Sequence, residues 1–274
     1  MVESSKASLQ RVLVAFDAAS ASDLAVEAAV ELAAALSEAR LEGLFVEDVN
    51  LVRLGGLPFA SEVSTLTGTA RSLAAAEIEH VLRVEAARLE RLFAQAAQRA
   101  QLPWSFAIAR GQLLGEAFAR AADLTVVGAI ARASASPALG AAGHKPARRV
   151  AALLQPGAPA WRMLTAAAQL ARATEAELLV LIAPGDPASQ ARAGARARSW
   201  LAGERLPARI VMLASGARTM VDELRSRRAD TLVYPAPRDT ASAATLRAVV
   251  AELPCLLVVV RGTKTDRRTP EENR

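Results

Sequence analysis

The stretch Gly140-Ala-Ala-Gly-His-Lys-Pro146 comes nearest in residue type to a phosphate-binding loop: two glycines to free backbone N–H groups, and a lysine to meet charge. Its spacing is wrong for a P-loop, and proline stands where a serine or threonine is needed. Other chemistry is thinner still. Two histidines and one cysteine cannot supply the three or four converging ligands of a metal site. Gly-x-Ser-x-Gly is absent, so the nucleophile elbow of an α/β-hydrolase is not expected. Glu47 and Asp48 are adjacent, and on extended chain adjacent side chains point apart, which makes a poor acid–base pair. His80 falls beside the apolar stripe of a long helix and reads as a partly exposed surface residue, Cys255 as a small core residue. No nucleophile or general base is identifiable, so no catalytic residue is assigned and the chain is expected not to be an enzyme.

Composition sets further bounds. The chain has 274 residues, 52% hydrophobic and 22% charged but only 4% aromatic, so its cores must be built from Ala, Leu and Val. No apolar run approaches the roughly 18 residues that span a bilayer, and no apolar leader precedes the first strand candidate. No membrane association is expected. A single cysteine rules out an internal disulfide framework and fits a reducing cytoplasm. Residues 1–140 carry 12 Lys and Arg against 16 Asp and Glu, net −4, whereas residues 141–274 carry 21 against 12, net +9. Such asymmetry can mark an anionic partner. Arg192, Arg196, Arg198, Arg205 and Arg209 surround one helix and its exit loop without interleaved aromatics, so nucleic acid is not expected as the partner.

The elements that would position any site alternate regularly. Arg11–Phe16 reads as a buried strand, followed by a helix capped by Ser20 or Ser22 and a strand over 41–46. Residues 73–101 show the stripe Ile78, Val81, Leu82, Leu89, Leu92 and Phe93 of an amphipathic helix, stopped at Pro103. Strand 104–109, helix 113–122 and strand 124–128 follow. The pattern then recurs: strand 150–154, helix 161–173, strand 177–183, helix 187–202, strand 208–214, helix 218–229, strand 231–235, helix 242–252 and strand 255–260. Arg110-Gly111 ahead of Ala122-Asp123-Leu-Thr-Val-Val-Gly128 answers Ser215-Gly216 ahead of Ala229-Asp230-Thr-Leu-Val-Tyr-Pro235. A tandem duplication is the economical reading. Strand–helix alternation predicts an α/β fold of two tandem doubly wound, mostly parallel sheets.

The copies are unequal. Only residues 129–147 separate the first copy's fourth strand from Val150, and residues 147–155 are either that copy's last helix or the second copy's first strand. Loss of an edge strand costs less than loss of a central one. We therefore expect a first module, 1–147, without its last helix and strand, a second module, 148–261, and a disordered tail, 262–274. The segment 47–72 is either a lid over the crevice at Asp17 or a loop lying over the sheet edge. Trp104, Trp161 and Trp200 fall at element ends and are expected to fill core or inter-module gaps.

Three passages carry a family resemblance. Arg11-Val-Leu-Val-Ala-Phe-Asp17 with its Ser-containing turn, Gly111 through Ala122-Asp123-Leu-Thr-Val-Val-Gly128, and Leu253-Pro-Cys-Leu-Leu-Val-Val-Val-Arg261 together resemble the universal stress protein family. The resemblance implies a cytoplasmic protein of stress adaptation, often dimeric through its last strand, with one ATP-binding branch and one that does not bind ATP. In the ATP-binding branch it implies an Asp after the first strand and a Gly-x-x-Gly, nine-residue gap, Gly-Ser/Thr loop after the fourth. A nucleotide site here would comprise Asp17 for the ribose hydroxyls, main chain near Val46 for adenine, and Gly128 with the near-miss Gly140 for phosphates. The pattern is degenerate: Ala131 and Ala141 stand at the second and third glycine positions. In the second copy Gln155 answers Asp17 and Pro235 answers Gly128, and proline offers no N–H to a phosphate. We therefore expect no cofactor, with ATP held by the first crevice as the alternative and nucleotide hydrolysis through Asp17 as a further one. The expected mode of action is interaction with an unidentified protein partner. The final strand is expected to pair with a second copy of the chain or with the other module.

Overall fold

The computed structural model describes residues 11–20, 23–36, 39–55, 57, 61–63, 67–72, 75–128, 149–155, 160–214, 217–237, 239–253 and 255–262. The first half runs β1 (Arg11–Phe16), α1 (Asp23–Ala34), β2 (Arg40–Asp48), α2 (Val49–Gly55), β3 (Ser61–Val63), β4 (Ala70–Ser72), α3 (Ala75–Arg99), β5 (Trp104–Gly111), α4 (Leu113–Ala119) and β6 (Leu124–Val127). The second runs β7 (Arg149–Leu154), α5 (Ala160–Ala173), β8 (Glu177–Ile182), α6 (Pro187–Gly203), β9 (Ala208–Met212), α7 (Ala217–Ser226), β10 (Thr231–Pro235), α8 (Thr240–Glu252) and β11 (Leu256–Val260). The segment 149–154 is thus a strand, which resolves the strand-or-helix ambiguity read from the sequence. Gly140, the inter-half segment 129–148 and the tail from 263 lie outside the described residues.

Nine strands form one sheet in the order β5-β2-β1-β6-β11-β10-β7-β8-β9, and β3 pairs with β4 in a separate hairpin. The fold is therefore doubly wound, mostly parallel α/β, with the strands of both halves joined in a single sheet. Every neighbouring pair in it is parallel except one: β11 runs antiparallel to β6, with Val258 opposite Val126 and Val260 opposite Leu124. On its other side β11 pairs in parallel with β10. Leu257, Val258, Val259 and Val260 are buried. A strand bonded on both edges and covered on both faces can be apolar throughout, because none of its side chains meets water.

Helices cover both faces. α1, α3, α5 and α6 pack on one, against residues such as Val12, Leu41, Val180 and Val258. α4, α7 and α8 pack on the other, against Leu13, Leu44, Leu232 and Val259. Alternate residues of each strand serve opposite faces, as the pleat requires. The two halves also meet helix to helix, where α1 lies against α5. Ala25 and Ala29 of α1 and Ala166 and Ala167 of α5 are buried in the core on this face, and Gln169 Nε2 donates to Ala35 O at 3.4 Å.

Three aromatics cluster at one edge. Phe93 of α3 packs edge-on against Trp104 with ring centroids 6.1 Å apart, and tilted against Phe106 at 5.9 Å. Trp200 packs partly buried against the same core, whereas Trp104 and Trp161 each keep 37% of their surface exposed. Gly43 on β2 is required here: a Cβ would sit 2.4 Å from Phe106 Cδ2. Cys255 is buried, as its setting in the sequence implied, and burial pushes its thiol up to about 12.

Candidate functional site

In an open α/β sheet, ligands sit beyond the carboxyl ends of the strands where strand order reverses. The first reversal is at β1, flanked by β2 and β6. Phe16 stands opposite Phe45, and Ala15 opposite Val127. Asp17 is therefore level with Val46, and Gly128 lies one residue lower, beside Phe16. Three of the four residues singled out from the sequence thus stand at neighbouring positions on β2, β1 and β6.

Their roles in it differ. Asp17 Oδ1 accepts from the backbone N–H of Ala19 at 3.0 Å and of Ser20 at 2.7 Å, and Ser20 Oγ accepts from Asp17 N at 3.0 Å. Ser20 is 1% exposed. The pair forms a closed turn in which the aspartate first satisfies its own loop. Val46 is fully buried among Leu113 and Ala117 of α4. Strand β2 continues two residues beyond it, paired to Gly111, so its main chain lies within the β2–β5 ladder rather than at a strand end. Gly128 is buried.

Beyond Val46 the two acidic residues part, as their adjacency demands. Glu47 accepts from Arg110, 3.0 Å from Nη2, while Asp48 Oδ1 accepts from Asn50 N at 2.8 Å and starts α2. The segment that opens there packs as α2 against α3 and β2: Leu51 and Val52 join the core, Leu54 and Leu57 stay exposed.

The second reversal is at β7, flanked by β8 and β10. Gln155 follows it and Pro235 ends β10; Ala236 N already donates to Val260 O at 2.8 Å.

No protein-family model matches this chain, and no curated protein matches it. Its backbone is similar to that of a universal stress protein from Archaeoglobus fulgidus DSM 4304, with TM-score 0.51 and 11% identity over 91% of this chain and 98% of that one. A putative universal stress protein from Pseudomonas aeruginosa UCBPP-PA14 aligns with TM-score 0.46 and 13% identity, over 92% of this chain and 93% of that one. The fold is that of the universal stress proteins.

In this universal-stress fold, hydrogen bonds the sequence did not reveal close the amino ends of β1 and β7, which lie at opposite ends of the sheet because β11 runs antiparallel to β6. Asp123 Oδ2 accepts from Arg11 N at 3.1 Å while Asp123 N donates to Arg11 O at 3.0 Å, so the aspartate closes the entry to β1. Asp230 does the same for Arg149 at the entry to β7, at 2.8 and 3.0 Å. Arg261, just after β11, donates from N to Asp123 O and from Nη2 to Phe118 O and Arg120 O, each at 2.9 Å. Arg162, 1% exposed on α5, donates to Arg261 O at 3.1 Å. The repeated Ala-Asp pairs were visible in the sequence; their function as strand-entry clamps was not, since the partners lie more than 80 residues away.

The described residues contain a concavity of about 430 Å³ far from Asp17, between α6 and β9. No helix among the described residues is long and apolar enough to cross a membrane.

Proposed function

We propose that this chain is a universal-stress-like protein of two tandem modules, 1–147 and 148–261, acting in the cytoplasm without turnover, through a protein partner. One observation supports the reading: at each strand-order reversal, a group that would hold a nucleotide is committed to its own turn or lacks an N–H. Asp17 Oδ1 is taken by its own turn, and Pro235 stands where an N–H donor is needed. The tandem reading is supported by the repeated strand order, β5-β2-β1-β6 and β9-β8-β7-β10, and by the paired clamps Asp123–Arg11 and Asp230–Arg149.

The second reading is a nucleotide sensor in the first crevice. It is favoured by the placing of Asp17 within one residue of Gly128 across the β1–β6 reversal. Native mass spectrometry of gently purified protein, with titration calorimetry against ATP, separates the two. The expected result is no stoichiometric nucleotide. A bound nucleotide lost in Asp17→Ala would establish the sensor, and turnover lost in the same variant would establish a hydrolase.

A further inference from the structure

The two outer edges of the sheet are β5 and β9. Both follow a helix that ends on a left-handed residue, Gln101 after α3 and Arg205 after α6, with φ of 54° and 52°. Both then enter the strand through Leu-Pro, Leu102-Pro103 and Leu206-Pro207. With those pairs aligned, the aromatic trio Phe93, Trp104 and Phe106 corresponds to Ala197, Ala208 and Ile210. The three rings that pack together in the first half are thus answered in the second by two alanines and an isoleucine. An open concavity of about 430 Å³ lies here, lined by Arg198, Leu201, Ala202 and Arg205 of α6 and its exit, and by Ala208 and Ile210 of β9.

The lining is ordered by chemistry. Residues 198, 201 and 202 recur at helical spacing on one face of α6, Arg205 follows its end, and 208 and 210 share one face of the strand. Leu201 and Ile210 make an apolar floor. Arg198 and Arg205, both exposed, stand at its two ends and make no ion pair among the described residues. Their counterparts in the first half are Ala94 and Gln101, so the charges belong to this edge alone. The outer edge of β9 has no partner strand among the described residues.

We propose that α6 and β9 form a docking groove for an extended acidic segment of a partner protein, which adds to β9 as a further strand. The proposal rests on the partner-interaction reading above. A strand added at ~4.8 Å from β9 would lay alternate side chains on the sheet face that carries α6. Arg198 lies in the last two turns of α6 and Arg205 just beyond its end, and strand residues i and i+4 are separated by about 13 Å. The matching pattern is Glu-x-Val-x-Glu: the aliphatic side chain seats on the floor, and a carboxylate meets each guanidinium. The groove has no aromatic platform for stacked bases, which disfavours single-stranded nucleic acid as the occupant.

The test uses the full chain and a fluorescein-labelled Thr-Glu-Thr-Val-Thr-Glu-Thr peptide, read by fluorescence anisotropy. The acidic peptide is expected to bind, more weakly as salt rises, and its Glu-to-Lys version not to bind. Arg198→Gln combined with Arg205→Asn, which suits the left-handed backbone, should weaken binding at least about fivefold. Ala208→Trp with Ile210→Phe, which places rings where the first half has them, should abolish it. So should N-methylation of alternate peptide nitrogens, which removes the strand donors. Equal binding of the lysine peptide, insensitivity to the arginine pair, or full binding after N-methylation would each overturn the proposal. Displacement of the peptide by a tighter-binding RNA octamer would do the same. Absence of peptide binding defeats the groove assignment alone; a stoichiometric nucleotide defeats the partner reading and leaves a positive groove result standing.

Discussion

Single residues in this protein are constrained most where two elements approach closely. Gly43→Ala would press a methyl group into Phe106 and, at 3.3 Å, Phe93, so we expect a loss of about 1–3 kcal/mol in chemical denaturation, with no change in denaturant slope. Asp17 tests the crevice at the same scale. Since Oδ1 serves two backbone N–H groups, Asp17→Asn should be nearly neutral while Asp17→Ala should cost about 1 kcal/mol by the same measurement. A residue whose substitution alters stability in that pattern is holding a turn, whatever else it holds. Cys255 gives the pH dependence. Burial raises its thiol from 9.0 to about 12, so the folded state resists ionisation. The stabilising contribution is complete below pH 9 and is lost as pH rises toward about 12. Unfolding midpoints measured from pH 8 to 11 should fall less steeply in Cys255→Ala than in the parent. Tyr234, also raised by burial, accounts for part of what remains.

The elements form as their patterns require, and their ends show where the chain is under tension. Gln101, Glu175, Arg205 and Arg228 adopt φ between 51° and 54°, where a Cβ is unfavourable. Gln101→Gly and Glu175→Gly should each stabilise by about 0.5–1 kcal/mol, after allowance for the entropy glycine adds to the unfolded chain. Thermal melts would check this. Strand β11 is the element on which the fold turns. Arg261 ties its exit to the carbonyl groups of Phe118 and Arg120, and Arg261→Ala should cost about 1–3 kcal/mol. Most elements were legible in the sequence, because their apolar periods of 2 and 3.6 are local properties: α5, expected at 161–173, is Ala160–Ala173, and β10, expected at 231–235, has those bounds. The helix α2 and the hairpin of β3 and β4 were not legible. They are short, and α2 is held by Asp48 capping Asn50 and by packing on α3 rather than by any period of its own.

At the scale of the whole molecule, one antiparallel contact makes two halves into a single sheet. Without β11, both β6 and β10 would present unpaired ladders at the centre of the structure, the exposed edges that folded proteins avoid. Both edges of β11 are bonded within the chain, so the final strand pairs the two halves and has no free edge for a second copy. We expect a single cooperative calorimetric transition, with van't Hoff and calorimetric enthalpies equal. A chain truncated before Leu256 should lose that transition and associate in size-exclusion chromatography.

The sequence by itself determined the alternation of strands and helices and the recurrence of that pattern, while a family resemblance singled out Asp17, Val46 and Gly128. Each follows from local periodicity or from a short run of residues whose neighbours are close in the chain. Tertiary structure alone decided that β11 would lie against β6, that Asp123 and Arg261 would clamp strand ends, and that Ala208 and Ile210 would line a concavity with α6 while Trp104 and Phe106 pack on Phe93. Those outcomes depend on side chains brought together from far apart in the chain, and on volumes that only packing compares.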